Sequence, residues 1–330
     1  MSFRAVQRRL ADALEQGTRA ESAGGPTLEA QRTTTGEPPR IAGAAVIEGD
    51  TIKRRPVPGD PEVGFTAFLD GIQASRVLLY DSSVPIVYGS VGAVIRIRED
   101  RRLSTWERGN ESRVYAPRGF LSRPANESLD DLGGEVIDTT PRRADGEADV
   151  DVRHPLMLSD VAVHAVQGHR ENLEQKLAES WCSRSGNAVL YVDGGISGSA
   201  KLSGSTSAAG VVKSHRVLYG DREAVCTILA LGERERSSVF AITSPNRWRS
   251  TVASWYVRLR DPLGRDPLWG LVRAEVAAPL VGGSQAITAY ADQVSRWILA
   301  EVAPLSLPDS RWDTMVYGIR DCEQFLRAIG

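Results

Sequence analysis

The sequence predicts an α/β protein, a mixed sheet flanked by helices, behind an N-terminal arm of helix and linker. Three observations carry that expectation. Short β-rich runs crowd residues 65–98. A long segment with an apolar stripe at helical spacing, Ser159–Arg184, follows a polar stretch. A further strand-like run, Ala188–Asp193, comes directly after that helix and stops at Gly194.

Taken in order, residues 1–18 place Val6, Leu10 and Leu14 at i, i+4 spacing, which reads as a helix. Residues 19–60 are rich in Gly, Pro, Thr and charge and read as a linker, with one short strand around Ile41–Ile47. The expected organisation is therefore a helix and flexible arm over residues 1–62 and a compact domain over 63–330. Within the latter, Phe65–Asp70, Val77–Tyr80, Pro85–Tyr88 and Ala93–Arg98 read as short strands punctuated by Gly71, Ser82-Ser83 and Gly89. Residues 122–152 are polar and acidic, a loop or insertion. After Asp193 a Gly/Ser-rich loop to Gly210 is flexible by composition. Val211–Lys213, Thr227–Leu231, Val239–Ile242, Ser254–Leu259 and Leu268–Val276 are strand candidates. Gln285–Leu299 and Asp321–Ala328 are helices. A meander, a long helix and then a strand beside the first is the layout of an RNase H-like fold.

Composition narrows the function classes. The 330 residues are 42% hydrophobic and 25% charged, with a net charge of −2, as in an ordinary globular chain. No apolar run approaches bilayer length, so no membrane role is expected. Arg4, Arg8 and Arg9 are followed by no apolar core of a signal peptide. Three scattered cysteines fit neither a disulfide framework nor a zinc spacing. These features point to the cytoplasm. Charge is uneven: Lys213–Arg273 holds eleven Lys/Arg and six Asp/Glu, a local +5 that suits a phosphate backbone.

Two runs carry the chemistry. Phe65–Asp70 and Ala188–Asp193 each end in Asp-Gly. A carboxylate at a strand end is held rigidly at a sheet rim, and two brought together make a hard-oxygen site for Mn²⁺ or Mg²⁺. The long helix selects a third. Val166, Arg170, Leu173, Leu177 and Trp181 share one side, and Glu174 sits at the edge of that stripe, four residues after Arg170. Gln175 and Glu179 point away, and Glu171 and Glu179 read as solvated. Paired ions at such carboxylates make a water nucleophilic and stabilise the leaving 3′ oxygen. Lys213, at the end of the next strand, is placed to hold the scissile phosphate. Arg258, Arg273 and Glu275 read as a structural ion pair or a DNA-groove contact. Trp106, Trp248, Trp255 and Trp269 read as core or interface aromatics, with stacking on unpaired bases as the other option.

With those residues in place, the chain over roughly 63–330 resembles the NurA nuclease family. The matching stretches are Phe68–Gly71, His169–Glu174, Leu190–Gly194, Val212–Ser214, Ser254–Leu259, Leu271–Glu275 and a short final helix. The resemblance implies an RNase H-like homodimer that cuts DNA with Mn²⁺, as a 5′-to-3′ exonuclease and single-strand endonuclease. It also implies work with a HerA-type hexameric ATPase at DNA ends. Asp70, Glu174 and Asp193 are then metal ligands and Lys213 a DNA contact. Two departures stand out. Ile72 follows the first Asp-Gly where the family usually has Ser. The final helix, Ile319–Leu326, carries no metal-binding His; Glu323 falls there by register, with Asp321 the other candidate. Either carboxylate suits Mn²⁺ or Mg²⁺. The missing His also motivates a second reading, a degenerate adaptor subunit of an ATPase complex, with defence against phage as its setting. A third is another RNase H-like enzyme of the Piwi or Holliday-junction type.

Overall fold

Three long strands stand where a string of short ones is expected. The computed structural model describes residues 2–14, 20–22, 28, 38–99, 102–132, 136–142, 153–243, 250–278, 283–302 and 317–329. The chain opens with α1 (Phe3–Leu14), β1 (Ala20–Ser22), β2 (Arg40–Ala42), β3 (Ala45–Val46) and β4 (Arg54–Pro56). The long strands β5 (Ala67–Asp81), β6 (Val84–Glu99) and β7 (Arg102–Ala116) follow. Next come α2 (Arg123–Asp130), β8 (Val136–Asp138), α3 (Pro155–Arg184), β9 (Leu190–Asp193), α4 (Ala200–Ser203), β10 (Ala208–Val212), β11 (Val217–Tyr219) and α5 (Arg222–Leu229). The chain closes with β12 (Glu235–Ser237), β13 (Phe240–Thr243), β14 (Thr251–Arg258), β15 (Leu271–Ala277), α6 (Gly283–Glu301) and α7 (Tyr317–Ile329). This is the expected mixed α/β architecture, a large mixed sheet with helices.

Two compact units are interleaved in sequence: Met1–Gly36 with Gly71–Ala93 and Gly109–Leu173, and Glu37–Asp70 with Val94–Arg108 and Glu174–Gly330. In the first, Val6 and Leu10 of α1 are buried in one cluster with Leu78, Leu79, Ile86, Val114 and Leu129. Asp81 at the end of β5 accepts the Ser122 backbone N–H, and the Ser122 hydroxyl caps α2 by accepting from Ala125. Residues 122–152 thus contain a helix and a strand where a loop is expected. Gly89 is not a breaker. It lies inside β6, where a Cβ would sit 2.4 Å from a Val166 methyl and 2.6 Å from the Tyr115 ring, so the helix can lie close only over glycine. Gly71 likewise lies within β5. Only Ser82-Ser83 turns the chain, with Ser82 at φ 59°.

In the second unit the strand order is β3-β13-β14-β15-β10-β9-β5-β6-β7, of which it holds Ala67–Asp70 of β5, Val94–Glu99 of β6 and Arg102–Arg108 of β7. β9 runs parallel to both β5 and β10, pairing Leu69 with Val192 and Val211 with Asp193. β10 then pairs antiparallel with β15, and β15 with β14. Every residue of β15 is buried, as are seven of the eight in β14, the pattern of strands covered on both faces. The expected adjacency of the first strand and the strand after the long helix is therefore present. That helix starts at Pro155 rather than Ser159, and Val166, Leu173, Leu177 and Trp181 of its stripe are buried. Thr227–Leu231 is not a strand. Asp221 caps α5 by accepting from the Ala224 N–H, with Glu223 in the first turn, and buried Val225 and Ile228 lie at helical spacing.

Candidate metal and phosphate site

Asp193 is placed by the way β9 ends. Gly194 takes φ +129°, open to glycine and strained for other residues, and its N–H donates to Val211 O at 3.0 Å. A Cβ on Gly210 of β10 would lie 2.6 Å from the Gly194 carbonyl oxygen, so glycine is needed on both sides of this turn. The second Asp-Gly therefore ends its strand as expected. The first does not: Asp70 is the fourth residue of a 15-residue strand. The β5–β9 pairing ends at Leu69↔Val192, so Asp70 and Asp193 are the next residues on two adjacent parallel strands.

Lys213 follows the last residue of β10, and its Nζ lies 2.7 Å from Asp193 Oδ2. The aspartate side chain is 18% exposed and the lysine 24%, so this is a half-buried pair open to solvent. Burial first, and then the negative charge of Asp193, Glu301 and Asp70, holds the Tyr191 phenol well above its usual range. The Cys322 thiol is also pushed well up, by burial and then by Asp70 and Asp321, with Arg96 opposing. Asp70 contributes to both shifts. Cys322 Sγ donates to Phe68 O at 3.4 Å, which docks α7 on β5.

The two candidates for the missing histidine are both engaged. Asp321 Oδ1 accepts from Arg96 Nε at 2.6 Å, while the same guanidinium donates to Thr105 Oγ1 and Leu103 O. Arg96 also lies over the Phe325 ring, 4.7 Å from its centre. Glu323 pairs with Arg327 one turn on, at 2.8 Å. Nothing in the sequence signals Arg96, because its partner is 225 residues away. Glu174 is half-buried on α3 and makes contacts of its own. Arg170 turns to the Gln73 amide at 3.1 Å. Glu171 is exposed, as expected, but Glu179 is not simply solvated: it accepts from Ser199 Oγ at 2.7 Å and from Gln175 at 2.8 Å.

Among the described residues, no group of three or more His, Cys, Asp or Glu side chains is arranged to hold a metal ion. Asp70 and Asp193, one step beyond the last pair of two adjacent parallel strands, are of the oxygen-donor type that a hard divalent ion takes. Mg²⁺ is commonly held by one or two carboxylates, with waters and substrate phosphates completing the shell.

Beside this edge, Arg273 and Glu275 form the expected structural pair, at 2.5 Å and both buried. Arg258 does not join them. Its buried guanidinium donates to the carbonyls of Leu229, Leu231, Pro267 and Trp269 and braces the β14–β15 connection. The aromatics serve packing: Trp255 is buried with its N–H on Ser295 Oγ, Trp106 packs edge-on against Trp181, and Arg265 covers Trp269. Trp248 lies outside the described residues.

No family model matches the sequence, and no curated protein matches it. Among solved structures, the NurA nuclease from Sulfolobus solfataricus is similar, at 12% identity over 87% of this chain and 86% of that chain, with a TM-score of 0.40. No helix among the described residues is long and apolar enough to cross a membrane.

Proposed function

We propose that the protein is a metal-dependent nuclease that hydrolyses DNA phosphodiesters at the rim of β9. The observation that carries this reading is the carboxylate pair Asp70 and Asp193 on adjacent parallel strands, with Lys213 Nζ on Asp193. A bound Mn²⁺ or Mg²⁺ supplies an activated water and stabilises the leaving 3′ oxygen. The chain's own part is to hold the ion through Asp70 and Asp193, with waters and the substrate phosphate completing its shell. The Lys213 ammonium exchanges its contact with Asp193 for one with the incoming phosphate, so the aspartate is freed as substrate arrives. The NurA resemblance extends the reading to 5′-to-3′ exonuclease and single-strand endonuclease action, a homodimer, and a HerA-type ATPase partner at DNA ends.

The test compares wild type with Asp70→Ala and Asp193→Ala on labelled single- and double-stranded DNA in Mn²⁺. Cleavage by wild type that disappears in both variants supports the reading; cleavage that survives both changes overturns it.

One observation favours a second reading. Asp321 and Glu323, the residues available in place of histidine, are each held by an arginine. In this reading the chain is a non-cutting adaptor of an ATPase complex. Calorimetry with Mn²⁺ separates the two: saturable binding that Asp193→Ala removes belongs to the nuclease, and no binding belongs to the adaptor.

A further inference from the structure

The loop after Asp193 is Gly/Ser-rich and reads as flexible, yet its backbone is tied down by a carboxylate that shares no sequence neighbourhood with it. Glu275 Oε2 accepts the Ile196 N–H at 2.8 Å and the Ser197 N–H at 3.3 Å. Its other oxygen accepts from Arg273 at 2.5 Å, and Arg273 also donates to Ser254 Oγ at 3.1 Å. Glu275 is 2% exposed and stands opposite Gly210 in the β10–β15 register. It therefore reaches the turn across the strand that carries Lys213 at its end. Further along, Ser199 Oγ accepts the Leu202 N–H, capping the short helix α4, and donates to Glu179. The fit is close: a Cβ on Gly195 would lie 2.9 Å from Glu275 Oε2.

Hence we infer that Glu275 is a positioning residue for the metal site: by pinning the Ile196 and Ser197 amides it fixes the turn that aims the Asp193 carboxylate. The inference rests on the nuclease reading and adds to it a residue that touches neither ion nor DNA. Groups that orient ligating carboxylates typically change metal affinity or activity by about 10–100-fold when removed. Arg273 makes the arrangement durable, since an unpaired carboxylate at this depth would be costly.

The experiment measures three properties of the full chain: Mn²⁺-dependent DNA cleavage, Mn²⁺ half-saturation, and hydrogen exchange at the Ile196 and Ser197 amides. Glu275→Gln keeps an oxygen for the two amides, whereas Glu275→Ala removes it. Gly195→Ala crowds the same carboxylate while leaving Glu275 in place, and serves if the alanine variant at 275 does not fold. The expected result is a fall in kcat, a rise in Mn²⁺ half-saturation, or both, in Glu275→Ala or Gly195→Ala, about 10–100-fold in all. DNA KM should stay within about twofold, Ile196 and Ser197 should exchange faster, and Glu275→Gln, whose NH2 faces the Arg273 donor in place of an accepting oxygen, should recover part of the loss. A wild-type Mn²⁺ response in both disrupting variants, or unchanged exchange at the two amides, overturns the positioning role. A wild type that cuts no DNA overturns the nuclease reading instead, a different and separately visible failure.

Discussion

Two ionic clusters of the second unit use the same side chains to opposite ends. Arg236 lies 2.7 Å from Glu48 and 2.5 Å from Asp292, and Glu48 also accepts the Val239 N–H. Arg236 and Glu48 are 1% and 3% exposed. Burial pushes the Glu48 carboxyl up, but Arg236 and the backbone donor outweigh it and leave the acid below its usual range. Lys213 and Asp193, by contrast, form a single contact at a strand end that water reaches. A charge enclosed by its own partners is committed to architecture. A charge at a rim, with one exchangeable partner, stays available to a cation or a phosphate.

The largest expected effect removes the rim carboxylate. Asp193→Ala should lower Mn²⁺-dependent cleavage on the order of 10⁴-fold, about 5 kcal/mol on the barrier, while urea unfolding shows little change. If cleavage persists, the contrast between the clusters has no functional meaning. Arg236→Met should do the reverse. Leaving buried Glu48 with Arg55 alone as its cation among the described residues, at 3.2 Å, costs about 3 kcal/mol, seen as a lower urea midpoint, with cleavage per folded molecule unchanged. Lys213→Met is milder. Losing one phosphate contact should reduce the slope of log affinity against log salt by about 0.7–0.9, measured by fluorescence anisotropy on labelled DNA. An unchanged slope removes Lys213 from the DNA contact.

The smallest effect lies just beyond Lys213. His215 Nε2 donates to Leu271 O at 2.8 Å, and its buried Nδ1 meets no hydrogen-bond partner. Burial lowers the imidazole pKa, the Leu271 carbonyl opposes this, and Arg273 and Arg258 lower it further. The unfolded chain takes up this proton near pH 6.5, before the native chain does. The stabilisation is therefore complete above about pH 6.5 and is lost as pH falls from there towards the lowered native value. Thermal melts should show a steeper loss between pH 7 and 5.5 for wild type than for His215→Phe. Equal slopes would remove His215 from the pH response.

Legibility in the sequence followed the range of the interaction. The stripe of α3 was readable because helical period places Val166, Leu173, Leu177 and Trp181 on one side whatever they pack against. The stop at Gly194 was readable because a positive φ is a local demand. The same dipeptide at Asp70-Gly71 misled, since strand β5 continues through it and pairing with neighbours overrides a weak turn signal. Thr227–Leu231 misled for a related reason. Its apolar run suits strand or helix equally, and the cap at Asp221 decides.

The sequence by itself determined the long helix and the strand after it, the two aspartates, the lysine beyond the second and the basic stretch around it, because periodicity, turn chemistry and charge are properties of neighbouring residues. Tertiary structure alone decided that the strands of Asp70 and Asp193 pair in parallel, that Lys213 closes on Asp193, that Arg96 holds Asp321, and that Glu275 pins the turn at Ile196. Those contacts join positions from about 20 to 225 residues apart. Strand register and burial fix such pairings, and neither is written in any local stretch of chain.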